Sequence, residues 1–398
     1  MTKPPSHRPV AAAPGTARLP GTPPVPARPP LMTRRLLLRF VTVIGASASF
    51  FLLLSVVPLY AERGGGDAGL ATGALMLATV GGELATPRLV ARFGYRSALA
   101  AGLALLGAPA LVLTVGHGMA WIVGVCLLRG LGFALTVVAG GALTASLIPA
   151  ERRGEGLALA GIVSGVPSLV GLPLGVWLAS HVGFTPVCAA GGVAALAAMV
   201  VVPGLPGRER SAGRDAGVVA GLRGGALARP TAVFAATALG AGIIVTFLPV
   251  AVPSSLSGLV AAALFAQPAT ATVARWFAGR FGDRHGPGRL VLPGLLASSA
   301  GLLVTAATSS PVAVLAGVAL FGAGFGVAQN ATLTLMYARV PESGYGTVSA
   351  LWNVAYDGGM GLGAVGFGAA AARAGYPAAF ALAAAVMLVA LAPAWRDR

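Results

Sequence analysis

Glu83, Arg129 and Asp357 are ionisable side chains set inside long runs of apolar residues. A charge deep in such a run costs at least about 3 kcal/mol, so each needs a chemical reason to be there. Asp357 stands 11 residues beyond Gly346, and a helix covers that separation in about 16 Å, which is mid-depth in a bilayer. Asn353 lies one turn earlier on the same face, with Trp352 beside it. The chemistry that suits this setting is a carboxylate, Asp357 foremost, taking up and releasing a proton as its access alternates. A moving Arg129, or a cationic substrate, would swing its hold on that proton. The competing reading is a set of fixed ion pairs or hydrogen bonds between helices. Gln329 and Asn330 admit the same two readings: they can bind a substrate or join two helices.

Other chemistries find no support. Cys126 and Cys188 both sit in apolar runs and read as small buried hydrophobes. The four histidines are scattered, with no partner at metal-ligand spacing. No nucleophile–base pair stands out. The single lysine is Lys3, and no phosphate-cradling loop ending in Gly-Lys occurs, so ATP-driven transport is unsupported. No cofactor and no metal is expected.

The elements that must position these residues are membrane helices. Hydrophobic residues make up 56 % of the 398, charged residues 10 %, and the mean hydropathy is +0.84. A soluble domain carries roughly 25 % charge to wet its surface. This composition excludes a soluble enzyme, a disordered chain and a nucleic-acid binder; the formal charge of +16 sits mostly in short stretches between apolar runs. Residues 1–30 hold ten prolines and read, to residue 34, as a solvated tail. Twelve runs are long enough to cross a bilayer, near 40–60, 67–87, 97–115, 120–147, 155–180, 185–203, 231–252, 256–274, 291–309, 311–337, 346–372 and 376–394. Arg34, Arg35 and Arg39 read as the positive flank of the first. The polar stretch 204–229 divides six spans, in residues 35–203, from six, in residues 230–398.

Orientation follows from the cations. With the N-terminus inside, the inner segments hold 24 of the 27 Lys and Arg residues, and the outer loops hold only Arg63 and Arg373. Both termini are therefore expected in the cytoplasm of a multi-pass cell-membrane protein. Trp121, Trp177 and Tyr60 fall near the outer interface, where an aromatic belt is the ordinary explanation.

The halves repeat at an offset of 192 residues: Arg92-Phe93-Gly94 against Arg284-His285-Gly286, Gly130-Leu131-Gly132-Phe133 against Gly322-Ala323-Gly324-Phe325, Pro149 against Pro341, and Gly183 against Gly375. Parallel repeats of this kind enclose a substrate path at their interface.

From about residue 35 to 395 the chain resembles the major facilitator superfamily. That family's cytoplasmic loop signature, Gly-x-x-x-Asp-Arg-x-Gly-x-x-Arg, is nearly complete in the second copy, as Gly279, Asp283, Arg284, Gly286 and Arg289. In the first copy Arg92 and Gly94 remain, Pro87 and Ala91 replace the glycine and aspartate, and the last arginine falls one place early at Arg96. Arg129-Gly130-Leu131-Gly132 is similar to the arginine motif of proton-coupled members. Span 5, with Gly161, Gly165, Pro167, Gly171, Pro173 and Gly175, resembles the glycine-proline motif of sugar-efflux and drug-efflux permeases, although its usual adjacent Gly-Pro is split here. The resemblance implies an all-α membrane protein of twelve transmembrane helices in two six-helix halves. It further implies a gate in which the loop aspartate meets a helix start of the opposite half. Gly165, Pro167, Gly171, Pro173 and Gly175 are the candidate hinge, and the pairs Gly161/Gly165, Gly171/Gly175, Gly322/Gly326 and Gly359/Gly363 are read as close helix approaches.

The function read from this is proton-coupled efflux of a small organic compound by a monomer. Its expected partners are that substrate, protons and the lipid bilayer, with no nucleic acid. Import of a sugar or metabolite on the same fold is the alternative, and a non-transporting membrane sensor a more distant one. Ionisable and polar candidates for the path are Asp357, Arg129, Glu83, Asn353, Gln329 and Asn330.

Overall fold

The computed structural model describes residues 30–149, 153–207, 226–341 and 345–397. The proline-rich tail and most of the linker lie outside them. Among the described residues the chain is helical and contains no strand. Twelve rods follow in order: α1 Arg34–Arg63, α2 68–93, α3 95–115, α4 Met119–Leu147, α5 Arg153–His181, α6 Phe184–Gly204, α7 Ala228–Ala251, α8 Ser257–His285, α9 Gly288–Thr305, α10 Pro311–Ala338, α11 345–374 and α12 376–396. Each coincides with one expected span. The largest departure is α8, which runs on to His285 rather than stopping near residue 274, because an α-helix satisfies its own backbone whether or not its side chains are apolar. Arg275, Arg280, Asp283 and Arg284 make this end polar.

Local chemistry sets the ends. Thr33, Asp67 and Ser310 accept hydrogen bonds from the first-turn amides of Leu36, Leu70 and Ala313, at 3.3, 2.9 and 3.4 Å, and so start α1, α2 and α10. α1 is broken once, at Ser55, and α6 finishes in a 3₁₀ segment over Met199–Gly204. Two turns are so tight that the backbone passes from one rod to the next almost without a loop. Gly94 (φ 82°) separates α2 from α3, and Gly375 (φ 78°) separates α11 from α12. These values lie in the left-handed region that only glycine enters cheaply. Gly286 (φ 88°) turns α8 into α9, and Gly183 (φ 89°) turns α5 into α6. Gly94 and Gly286 stand at the repeat offset, and so do Gly183 and Gly375. The same bend therefore recurs at the same place in both six-helix halves.

Rods run alternately between two faces, here called the linker face, where α6 ends and α7 begins, and the far face. Between the halves α2 packs on α11, and α5 on α8. Gly69, Gly73 and Met76 of α2 meet Ala364, Val365 and Gly361 of α11 with no room for a Cβ at the glycines. Thr72 Oγ1 and Thr246 Oγ1 share a buried hydrogen bond of 2.9 Å between α2 and α7. Tyr376 donates to Glu62 Oε1 at 3.4 Å at the far-face end. Toward the linker face, α5 instead exposes Ile162, Val166 and Val170, and α8 exposes Val273 and Phe277.

Close helix approach is observed at three of the four expected glycine pairs. Gly171 and Gly175 seat Leu52 of α1, Gly322 and Gly326 seat α8 at Gln267 and Ala271, and Gly359 and Gly363 seat α7 at Ala235 and Leu239. Gly161 and Gly165 have nothing within 4 Å, because they lie on a side of α5 that no described residue covers, while Leu159, Ala160 and Val163 of the same stretch pack against Leu36, Phe40 and Ile148. α5 stays helical through Pro167 and Pro173.

Two surface expectations are corrected. Tyr60 does not stand in a belt: it is buried, with its hydroxyl 3.1 Å from Gly116 O and 2.8 Å from His117 Nδ1. Arg39 is no solvated flank: it is 4 % exposed and points between α1 and α4. Trp121 and Trp177 are exposed as a belt requires.

Candidate functional site

Asp357 and Glu83 come together. α11 crosses α2 on small residues, and the crossing brings the two carboxyls within electrostatic reach of each other between the halves. Both are buried, Asp357 at 5 % and Glu83 at 8 % exposure. Glu83 Oε2 is fully buried and finds no donor among the described residues.

Tyr356, next to Asp357 in the chain and in electrostatic reach of it, belongs to an aromatic group. Trp352 and Tyr356, at i and i+4 on α11, stack with Phe234 of α7 at ring-centroid distances of 4.5 and 6.0 Å. Phe325 of α10 completes the group, 6.1 Å from Phe234 and 6.0 Å from Tyr356. Trp352 Nε1 is buried without an acceptor among the described residues. Arg275 of α8 lies in electrostatic reach of the Tyr356 phenol. Asn353, one turn before Asp357, is half-buried.

Arg129 is elsewhere. It is 1 % exposed in α4, where Nη2 donates to Ser49 O of α1 at 3.1 Å. Nε and Nη1 find no acceptor among the described residues, and its ionisable neighbours are the thiols of Cys126 and Cys188, not the carboxyls. Asn330 lies against Gly279 of α8, and Gln329 is half-buried on α10. Neither joins the carboxyl pair by a described contact.

The loop-motif residues divide. Gly94 and Gly286 make the left-handed bends described above. Arg96 donates to Leu205 O from Nε and Nη2, at 3.2 and 2.6 Å, and so ties α3 to the start of the linker. Arg92 is exposed and lies over the Phe93 ring, 5.2 Å from its centroid; Arg284 and Arg289 are exposed. The Asp283 side chain lies outside the described residues, as do the side chains at the starts of α5 and α11 that it and its counterpart were expected to meet.

Three functional-looking groups were missed in the sequence. The aromatic group was legible only as single rings, since α7, α10 and α11 are far apart in the chain; the one local signal was the spacing of Trp352 and Tyr356. Arg39 was hidden by its position near a span end. Its head is fully used: Nε donates to Gly140 O at 3.0 Å and Thr144 Oγ1 at 3.2 Å, and Nη1 donates to Thr42 Oγ1 at 2.6 Å. The third is a clamp at the linker face, where Asp397 pairs with Arg339 at 2.7 Å and Arg229 at 3.6 Å.

A family model described as "Major Facilitator Superfamily" matches residues 39–364, and again residues 231–398. The chain belongs to the major facilitator superfamily. No curated protein matches its sequence. Among solved structures, the nucleoside transporter NupG is similar at TM-score 0.71 and 11 % identity, covering 92 % of this chain and 99 % of that one. The peptide transporter POT in complex with sulfate is similar at TM-score 0.71 and 15 % identity, covering 91 % and 94 %. At such identities the likeness speaks for the fold alone. This superfamily member is thus a multi-pass membrane transporter of a small molecule rather than an enzyme, and its carboxyl pair occupies the interface between the two repeats.

Proposed function

We propose that this superfamily member exports a small organic compound from the cytoplasm in exchange for protons, acting as a monomer in the cell membrane. The observation that carries the reading is the pair of neighbouring carboxyls Glu83 and Asp357, both buried where α2 of one half crosses α11 of the other. A proton-linked group belongs where opening and closing change its access to water. Here separating α2 from α11 would expose both acids to water. The described contacts between halves, with apolar stripes exposed on α5 and α8 toward the linker face, fit a form open at that face. The cation asymmetry supports a linker face and both termini in the cytoplasm. Arg129, Gln329, Asn330 and Asn353 are proposed to line or brace the path, and Gly165, Pro167, Gly171, Pro173 and Gly175 to let α5 flex. The loop-motif residues, with Asp283 foremost, would close the linker face. Export is favoured over import by the glycine-proline pattern of α5. The chain divides in this reading into a tail to residue 34, halves at 35–203 and 230–398, and a linker at 204–229.

The test is flux into inverted membrane vesicles carrying an imposed proton gradient, acid inside. Accumulation of a substrate that collapses with a protonophore is expected. Substrate movement indifferent to the gradient would overturn proton coupling, and accumulation only with the gradient reversed would overturn export.

A further inference from the structure

We infer that a cavity at the far face, walled by both halves, binds a zwitterionic ligand with an apolar body, of the chemical class of an amino acid such as leucine. It lies apart from the carboxyl pair, and the inference is independent of what that pair carries. The cavity holds about 390 Å³ and is lined by the ends of α1, α5 and α7 and the start of α8. That volume suits a small organic molecule. Because its walls come from both halves, the cavity has this shape only while the far face is shut. Leu59, Val176 and Val260 give it an apolar wall, and its charged groups are Glu62 and Arg63.

These two charges do not satisfy each other. They are successive residues on one helix, where side chains point apart, and they form no ion pair among the described residues. Glu62 Oε1 accepts from the Tyr376 hydroxyl of the opposite half at 3.4 Å, and Oε2 has no hydrogen bond among the described residues. Arg63 lies over the Phe184 ring, 5.1 Å from its centroid, and its N–H groups have no acceptor among the described residues. The end of α7 supplies a further wall, with Pro249 and Pro253 both on the cavity. Pro253 has no amide hydrogen, so the Pro249 carbonyl has no donor four residues on. A helix end of this kind is also the negative end of its dipole. A ligand ammonium therefore finds the Glu62 carboxylate and the end of α7, and a ligand carboxylate finds Arg63. A ligand with a single charge would leave one of the two groups unmatched, and a neutral ligand would leave both. Ser180 adds one hydroxyl, which already donates to Trp177 O at 2.8 Å, so a compound dense in hydroxyls finds few partners here.

The full chain, purified in detergent, is titrated by calorimetry at neutral pH with three probes: leucine, isoamylamine, which lacks the carboxylate, and isocaproate, which lacks the amine. Saturable leucine binding in the millimolar range or tighter is expected, with both truncated analogues weaker by about tenfold or more, since each gives up a charged hydrogen bond. Glu62→Gln and Arg63→Gln should each weaken leucine by about tenfold for the same reason. Where a variant fails to fold, the ranking of the three probes on the natural chain still decides. No saturable leucine binding, an analogue that binds as well as leucine, or leucine binding untouched by both folded variants would overturn the assignment. The titration needs no proton gradient, so its failure would leave the transport reading standing, and failure of the flux test would leave this site standing.

Discussion

A guanidinium taken out of water carries five N–H donors that all want acceptors. Arg39 and Arg129 are both buried between α1 and α4, and only Arg39 is supplied. Its supply depends on the absence of a side chain at residue 140, where a Cβ would collide with the guanidinium. Gly140→Ala should therefore destabilise the protein by about 1–3 kcal/mol, the usual cost of overfilling a packed site. Thermal unfolding in detergent would show a lower midpoint. Arg39→Met combined with Gly140→Ala should recover most of the loss, because the two changes share one contact. A double variant no more stable than Gly140→Ala alone would refute the steric account. Residue type made Glu83 and Asp357 visible in the sequence, since a charge in an apolar run is conspicuous. Their partnership was not visible: it depends on which helices cross, and a one-dimensional pattern carries no such information. Arg39 failed for the opposite reason, since charge near a span end is ordinary and looks the same whether it snorkels or turns inward.

Helices and bends were the legible level. Apolar length located all twelve rods, and the repeat paired four of the five left-handed glycines, Gly94 with Gly286 and Gly183 with Gly375, before any backbone angle was known. What escaped was the polar end of α8, where helix continues past the apolar run, and the unoccupied glycine face of α5. The α2–α11 crossing offers a test at this scale. A Cβ at Gly69 would strike the backbone carbonyl of Ala364, so Gly69→Ala acts as a wedge on the far-face side. At about 1–3 kcal/mol of strain, it should move a two-state population by about tenfold or more toward the far-face-open form. Spin labels at Gly65→Cys and Ala374→Cys would report a longer mean distance. An unchanged distance distribution would mean that this crossing does not hold the far face shut.

For the molecule as a whole, orientation is the quantity on which the proposed direction of transport depends. Ser211→Cys, in the linker outside the described residues, should react with a membrane-impermeant thiol reagent only after the cells are permeabilised. Ala374→Cys should react in intact cells. The two single-cysteine tests are run in a background lacking Cys126 and Cys188, both buried. Labelling of Ser211→Cys from outside would invert the topology and, with it, the reading of export.

The clamp at Asp397 bears on how this transporter is handled at the bench. The Asp397 carboxyl is buried and pairs with Arg339, while Arg339 also holds Ala226 O at 2.6 Å, so the carboxyl end of the chain is bonded into the joint where the linker meets α7. A reporter or affinity tag fused after a trimmed end that omits Asp397 would leave Arg339 and Arg229 without their shared anion. Expression screens that compare C-terminal fusions with and without Asp397 should separate sharply in yield and monodispersity, whereas tags placed ahead of residue 30 touch none of these contacts.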